Sequence, residues 1–205
     1  MVNIRIFSFL TIFCFLQFFF ISVVFSSDVS LISKRCISCH GVNGNSSIEI
    51  WPKIAGQHAE YIFSQLIEFK KGKDGLRFDP NMFSMLQGLN EDDLLDLSKY
   101  YSNQIIEKSS LKVNNDSFLR GKSIYLYGND GFPACFSCHG IDGSGNRLAK
   151  YPSLKWQHKE YLLTQLKKFK SLERSNDING IMRDISLRMT ELEMQDVSIY
   201  ISNMN

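Results

Sequence analysis

Apolar residues recur at helical spacing in matching segments of the two halves of the chain. In the segment 58–69 they fall on one side of a helix, and the segment 158–169 repeats this arrangement. A shorter helix is predicted to lead into each of two cysteine pairs, from about Val29 in the first half and from about Ser117 in the second. Neither half has an alternating run long enough to indicate a sheet, so the pattern predicts an all-α fold.

A polar cap marks the start of the last predicted helix in each half. Asn90 stands three residues before Asp93, and Thr190 stands three residues before Glu193. At this spacing the cap and the acid can each accept a hydrogen bond from the other's backbone amide, and acids in the first turn suit the helix dipole. We therefore predict helices that begin directly after Asn90 and Thr190.

The first 26 residues form a separate apolar leader whose only charged residue is Arg5. Val24 and Ser26 suit the positions three and one before a signal-peptidase cut, so residues 1–26 are predicted to be a cleaved signal peptide. An apolar run of about 20 residues is also long enough to span a bilayer, so an uncleaved anchor is the alternative. In either case the rest of the chain is expected in the periplasm or facing it.

The chain after the leader contains two copies of one sequence pattern, 99 to 100 residues apart. Each copy begins with Cys-x-x-Cys-His, and the matched positions downstream include a Pro, a Gln-His, a Glu-Tyr, a Gln-Leu and one Met. The roughly 179 residues suit two small domains. We predict domains over 27–107 and 117–205, joined by a polar linker over 108–116.

The segments Cys36-Ile-Ser-Cys39-His40 and Cys135-Phe-Ser-Cys138-His139 carry the most specific chemistry. A Cys-x-x-Cys-His run is the attachment signature of c-type haem, in which both thiols add to porphyrin vinyl groups and the His ligates iron. A structural disulfide, a thioredoxin-like redox pair and half of a zinc ribbon are the other interpretations. Two copies favour two covalently bound haem c groups, which would also complete the thin cores of two small domains.

The cysteine count and the net charge exclude further interpretations. Of the five Cys, Cys14 lies in the leader and the other four all belong to the two motifs, so none remains for a structural disulfide. A net charge of +2 excludes a strongly basic nucleic-acid-binding protein. Residues 28–109 carry nine Lys and Arg against 11 Asp and Glu, whereas residues 110–205 carry 13 against 10. This polarity either is incidental or orients docking with a redox protein.

Methionine sulfur is the predicted ligand on the far side of each iron. Six Met follow the leader, and only Met82 and Met182 occupy matched positions in both copies. Three of the others face Leu or Ile, an exchange that core packing tolerates and a thioether ligand does not. We predict Met82 and Met182 as axial ligands opposite His40 and His139, each in an irregular stretch before the last helix. Met85 is the substitute for Met82.

Bis-histidine ligation by His58 and His158 is the alternative, because these residues also occupy matched positions. Each stands at the start of an amphipathic helix and follows a Gln, which favours a surface or capping role instead.

Further residues around the haems follow from the same repeat. A ligating His usually donates its other ring nitrogen to a carbonyl, and the oxygens of Pro52 and Pro152 are the predicted acceptors, unless these prolines only turn the chain. Tyr61 and Tyr161 are predicted to bind haem propionates or to line the pocket, with ordinary core packing as the alternative. Weaker candidates for such roles are Trp51, Trp156, Gln57, Gln157, Arg77, Arg174 and Arg183.

Together these motifs resemble the dihaem cytochrome c4 family over residues 27–205. The resemblance rests on two Cys-x-x-Cys-His-Gly units, on the Pro, Gln and Tyr that follow each, and on an isolated Met before a capped final helix. It implies two tandem class I cytochrome c domains related by a pseudo-twofold axis, with haem propionates near their interface and the axial pairs His40/Met82 and His139/Met182. Trp156 departs from the family, which usually has Gly there, and puts the local loop geometry in question.

The resemblance also implies an electron carrier rather than an enzyme. Such a protein works in the periplasm, often at the membrane surface, and takes electrons from a quinol-oxidising complex or another donor to a terminal oxidase. Methionine ligation favours a high potential, which suits this direction of transfer. No small-molecule substrate and no nucleic acid are expected. The alternatives are the dihaem subunit of a flavocytochrome c sulfide dehydrogenase and a dihaem peroxidase, which needs one iron open to peroxide.

Overall fold

The computed structural model describes residues 28–108 and 114–204. The predicted signal peptide, Cys14 and the middle of the predicted linker lie outside these residues. In the described part, regular structure is helical and β pairing is limited to isolated bridges, so the prediction of an all-α fold is confirmed. None of the helices within these two ranges is long and apolar enough to cross a membrane.

The first half contains the helices α1 (Val29–His40), α2 (Ala59–Lys70), α3 (Pro80–Met85) and α4 (Glu91–Ser102), with a 3₁₀ turn at Gly72–Asp74. Helix α4 packs against α1 and α2. Its residues Leu94, Leu97 and Tyr101 are at most 2% exposed and form the centre of a core that draws only on the first half. Full burial of such a side chain contributes about 1.5–3 kcal/mol.

The second half contains α5 (Asn115–Tyr127), α6 (Phe136–His139), α7 (Lys159–Lys170), α8 (Ile181–Arg188) and α9 (Glu191–Asn203), with a 3₁₀ turn at Ile178–Gly180. Helix α5 crosses α9 so closely that a Cβ on Gly121 would lie 2.0 Å from the Asp196 carbonyl oxygen. The core of this half includes Tyr125, Met194 and Val197 and shares no residue with the first. The two halves are therefore two helical domains, as predicted.

The helix before the haem motif differs between the halves. Helix α1 runs directly through Cys36 to His40, whereas α5 ends at Tyr127 and a separate turn of helix, α6, carries His139. The prediction that a helix leads into the second cysteine pair was wrong. Gly128 follows α5 with a φ of +66°, a conformation that favours Gly, and the chain then turns through Asn129 before it reaches α6. Helix α5 also begins at Asn115, because the Asn114 side chain accepts from the amides of the first turn.

The two predicted capping boxes are present. Asn90 and Asp93 exchange hydrogen bonds of 2.9 Å in both directions, and Thr190 and Glu193 form the same arrangement. These caps fix the starts of α4 and α9 at the predicted residues.

The segments that carry the two predicted methionine ligands are helical, so the prediction of irregular stretches was wrong. Met82 lies in α3, where Asp79 caps the amides of the first turn and Pro80 occupies the first helical position. Met182 lies in the first turn of α8, after Gly180 with a left-handed φ of +73°. Helices of six and eight residues are too short to show clear periodicity in a sequence.

Trp156 keeps the loop geometry of its glycine counterpart. Gly56 has a φ of +66° and Trp156 a φ of +58°, and the backbone amide of each donates to the last helix of its own half. The indole Nε1–H of Trp156 also donates to the Met204 carbonyl at 2.7 Å. This bond offsets part of the cost of a left-handed conformation at a residue with a side chain.

Candidate haem sites and the domain interface

His40 and His139 end α1 and α6, and each is oriented by a proline carbonyl of its own half. His40 Nδ1 lies 2.9 Å from the Pro52 oxygen, and His139 Nδ1 lies 3.0 Å from the Pro152 oxygen. A carbonyl only accepts, so Nδ1 carries the hydrogen and Nε2 keeps the lone pair that can ligate a metal. Burial lowers the pKa of both imidazoles, which are therefore neutral at pH 7. Both hydrogen bonds predicted from the sequence are present.

The thiols beside these histidines do not resemble a redox-active pair. Cys36, Cys39, Cys135 and Cys138 are free and partly buried. Burial raises the pKa of Cys36 and raises that of Cys135 to about 11, whereas a reactive Cys-x-x-Cys needs a lowered thiol pKa. Over residues 28–108 and 114–204 no three His, Cys, Asp or Glu side chains cluster in a way that could hold a metal ion. Neither the thioredoxin-like nor the zinc interpretation is supported.

Burial separates Met82 and Met182 from the other methionines of the described chain. Both are partly buried, and Met82 packs against the same core as Cys36. Met85 is 44% exposed on the surface. The remaining methionines are at most 2% exposed in the core of the second half: Met189, Met194 and Met204. Among the methionines of the described residues, only the matched pair is partly buried.

His58 and His158 do not serve as surface residues or side-chain caps, in contrast to the prediction. His158 is 6% exposed, and its Nε2 lies 2.8 Å from the Ser46 carbonyl of the other half. Neither His makes a side-chain capping bond to its helix. His58 Nε2 is buried with no hydrogen-bond partner among the described residues. Because His158 Nε2 is bonded to the domain interface, the arrangement does not support bis-histidine ligation.

The side chains present in each half fit one haem c group. One thiol lies one helical turn before a buried neutral His whose Nε2 is available, and the other belongs to the residue directly before that His. A partly buried thioether lies in the short helix before the last helix of each half. This is the donor set that six-coordinate, covalently attached haem requires. The chain carries two such sets, one in each half, and they fit two haem c groups.

Two buried arginines meet where the halves face each other, each reaching a tyrosine of the other half. Arg77 Nη2 donates to the Tyr161 hydroxyl at 2.6 Å, and Arg174 Nη2 donates to the Tyr61 hydroxyl at 2.8 Å. The backbones of the two arginines pair in an isolated bridge. Both guanidinium groups also donate to the side-chain oxygens of Gln65 and Gln165, and each stacks on a Phe ring of its own half.

These arginines place two positive charges in a buried site. They are 7% and 5% exposed, and in the described residues neither forms an ion pair with Asp or Glu. Burial, and then the charge of Arg77, lower the pKa of Arg174. Buried charges normally have a counter-ion, and the carboxylates of two haem propionates fit this requirement. Tyr61 and Tyr161 accept from the arginines, which leaves their own O–H groups as donors to an anion.

Three weaker candidates for propionate contacts are engaged elsewhere. Gln57 and Gln157 use their amide groups on the backbone of the opposite half. Arg183 pairs with Asp177 at 2.7 Å. The sequence indicated that the two glutamines are matched between copies, but not that each binds the other copy.

Comparison with known proteins shows the family to which the chain belongs. The family model described as Cytochrome c matches residues 29–104 and again 119–205. Cytochrome c4 of Thiocapsa roseopersicina is 40% identical over 173 residues, 83% of this chain and 87% of that protein. A protein of Thiomonas intermedia named thiosulfate dehydrogenase electron acceptor is 31% identical over 174 residues, 83% of this chain and 78% of that one. The crystal structure of reduced cytochrome c4 from Pseudomonas stutzeri superposes with a TM-score of 0.81 at 31% identity, covering 88% of this chain and all of that one.

Proposed function

Because this chain belongs to the dihaem cytochrome c4 family of c-type cytochromes, we propose that it passes electrons in the periplasm to a terminal oxidase of a respiratory chain. The protein is an electron carrier with two haem c groups, whose irons supply the one-electron chemistry. The residues of the chain attach the haems, ligate and orient them, and keep water away from the irons.

The axial ligands in this proposal are His40 with Met82 and His139 with Met182, and the thiols of the two motifs attach the porphyrins. The observation that carries the assignment is the burial pattern of the methionines. Met85 lies on the surface, and the remaining methionines of the described residues lie in the closed core of the second half. Met82 is therefore left as the ligand in the first half and Met182 as the ligand in the second. Methionine and histidine together would keep both potentials high and would leave no position open for peroxide, in contrast to a peroxidase.

The propionates are assigned to the interface between the halves. Arg77 and Arg174 offer uncompensated positive charge there, and Tyr61 and Tyr161 offer hydroxyl donors. These four side chains would hold the propionates of both haems at one interface, and the haems would there supply electron exchange between the halves.

The partners are proposed to be redox proteins that dock on the two halves. The first half carries an excess of acidic residues and the second an excess of basic ones, so a donor and an acceptor of opposite charge would be steered to different ends. A quinol-oxidising complex is the proposed donor. A thiosulfate-oxidising enzyme is a second candidate, supported by the similarity to the electron acceptor of Thiomonas intermedia.

A haem count and an absorption spectrum of the periplasmically expressed protein test the proposal. We expect two c-type haems per chain in a pyridine haemochrome assay, and the weak methionine-to-ferric-iron band at an intensity that accounts for both. A single haem, or a high-spin component in the wild-type protein, would contradict the ligand assignment. For the partner, we expect the reduced protein to support oxygen consumption by oxidase-containing membranes, and lack of any such activity would contradict the oxidase assignment.

A further inference from the structure

Each half of the protein binds the backbone N–H and C=O of one residue of the other half through a glutamine. Gln157 Oε1 accepts from the Lys53 amide at 2.9 Å, and Gln157 Nε2 donates to the Lys53 carbonyl at 2.7 Å. Gln57 makes the same two bonds to Ser153, at 2.9 and 2.8 Å. The two glutamines therefore form a reciprocal pair across the pseudo-twofold interface, which we call the glutamine clamps.

The clamped amide belongs to the peptide that orients the histidine. The Lys53 N–H and the Pro52 carbonyl are the two ends of one peptide unit, and this carbonyl accepts from His40 Nδ1 at 2.9 Å. A continuous chain of hydrogen bonds thus runs from the His40 imidazole through one peptide to Gln157 in the other half. The mirror chain runs from His139 through the Pro152–Ser153 peptide to Gln57.

A bond at one end of a peptide changes the strength of the bond at the other. When Gln157 accepts the Lys53 amide hydrogen, the peptide polarises and the Pro52 oxygen becomes a stronger acceptor. That oxygen then draws the Nδ1 hydrogen of His40 more strongly, which makes the ring a better electron donor through Nε2. His40, Lys53 and Gln157 are only 6–7% exposed, so water screens this chain little.

We propose that Gln57 and Gln157 are positioning residues that tune the haem of the opposite half through its axial histidine. This inference rests on the proposed function, because it takes His40 and His139 as iron ligands. A more donating imidazole stabilises ferric iron, so each clamp lowers the potential of the haem across the interface. Contact between the two halves therefore affects the reduction potentials of both haems.

A purely structural role for the clamps predicts a different pattern. If the glutamines only hold the halves together, removing one loosens the shared interface and affects both haems to a similar extent. The chain of hydrogen bonds instead predicts that the reduction potential of the haem in the opposite half shifts and that the potential of the haem in the substituted half shifts less. The comparison between the two haems of one variant therefore separates the two roles.

The test is a redox titration of the dihaem protein followed by NMR, with the signals of the His40 and His139 rings identifying the two haems. In Gln157→Leu we expect the potential of the first-half haem to rise, with about a threefold change in its reduction equilibrium. This corresponds to ~30 mV, at 59 mV per tenfold change for a one-electron couple. Gln57→Leu should raise the potential of the second-half haem instead.

Two further variants keep the test decisive. Gln157→Glu retains an acceptor for the Lys53 amide and makes it anionic, so the first-half haem should shift in the opposite direction and further than the other haem. Glu60→Gln is the control, because it breaks an exposed ion pair with Arg147 across the same interface without touching either clamped peptide. We expect it to leave the difference between the two potentials unchanged.

The proposal is overturned if folded leucine variants with two low-spin haems show equal shifts in both haems or a larger shift in the substituted half. It is also overturned if Gln157→Glu shifts the first-half haem upward. Failure of the proposed function would look different, because the wild-type protein itself would then lack two haems or the methionine band.

Discussion

Replacement of Arg174 by Met tests whether an anion compensates the buried charges at the interface. Met keeps most of the apolar stem and loses the guanidinium group, whose central carbon lies 4.4 Å from the centroid of the Phe169 ring. It removes the positive charge and the hydrogen bonds to Tyr61 at 2.8 Å, Gln165 at 2.9 Å and Asn176 at 2.9 Å. Arg77 remains in place.

The expected magnitude depends on what neutralises the charge. If propionates are the counter-ions, the substitution leaves a buried carboxylate without its partner, at a cost of about 3–5 kcal/mol. If no anion is present, loss of Arg174 instead relieves repulsion between two buried like charges, which offsets much of the cost of the lost hydrogen bonds. We expect the first outcome, with the unfolding free energy lowered by about 3–5 kcal/mol and both potentials lowered by the loss of a nearby positive charge.

Urea unfolding of the oxidised dihaem protein measures the first effect, with the methionine band and tryptophan fluorescence as independent probes. Arg147→Met is the matched control, since the Arg147 side chain is 68% exposed and pairs with Glu60 across the same interface. An exposed pair contributes about 0–1 kcal/mol, so this control should stay within that range. If Arg174→Met proved as stable as wild type, with unchanged potentials, the propionate assignment would be refuted.

Three further outcomes follow from the structure. Met82→Ala and Met182→Ala should each convert one haem to a high-spin form that binds carbon monoxide, as measured by absorption difference spectra. Gly121→Ala should lower the unfolding free energy by about 2 kcal/mol in urea titrations, because its Cβ meets the Asp196 carbonyl at 2.0 Å and overpacking outweighs a helix-propensity gain of at most ~1 kcal/mol. Burial lowers the pKa of His158, so the contribution of this residue to stability is present above about pH 6.5 and is lost as the pH falls. Unfolding midpoints measured between pH 7 and 5 should show this loss of stability. The loss should be smaller in His158→Gln.

Met82→Ala and Gly121→Ala each have a control in the same helix. Met85→Ala should leave both haems low-spin, and a high-spin spectrum in that variant would reassign the first-half ligand. Ser123→Ala on the exposed side of α5 should change stability by less than about 0.5 kcal/mol. A loss as large as that of Gly121→Ala would show that the close approach of α5 and α9 is not the cause.

Features set by short-range chemistry were predictable from the sequence. The capping boxes at Asn90 and Thr190 need only residues three apart, and they located the starts of α4 and α9. The bonds from His40 and His139 to proline carbonyls followed from the general need of a ligating imidazole for an acceptor. The break after α5 was missed, because its cause is the conformation of Gly128 and not a change in apolar pattern.

The contacts between the halves could not be predicted from the sequence, for a different reason. Tyr61 and Tyr161 occupy matched positions of the repeat, whereas Arg77 and Arg174 are 97 residues apart and fall outside its offset of 99 to 100 residues. The sequence therefore does not say which tyrosine Arg77 reaches. Both pairings use the same residue types, and a duplicated sequence contains both. The structure selects the crossed pairing, with partners 84 and 113 residues apart. Crossed pairing makes each half complete the surroundings of a tyrosine of the other, so the two proposed haem sites should respond together when the interface opens.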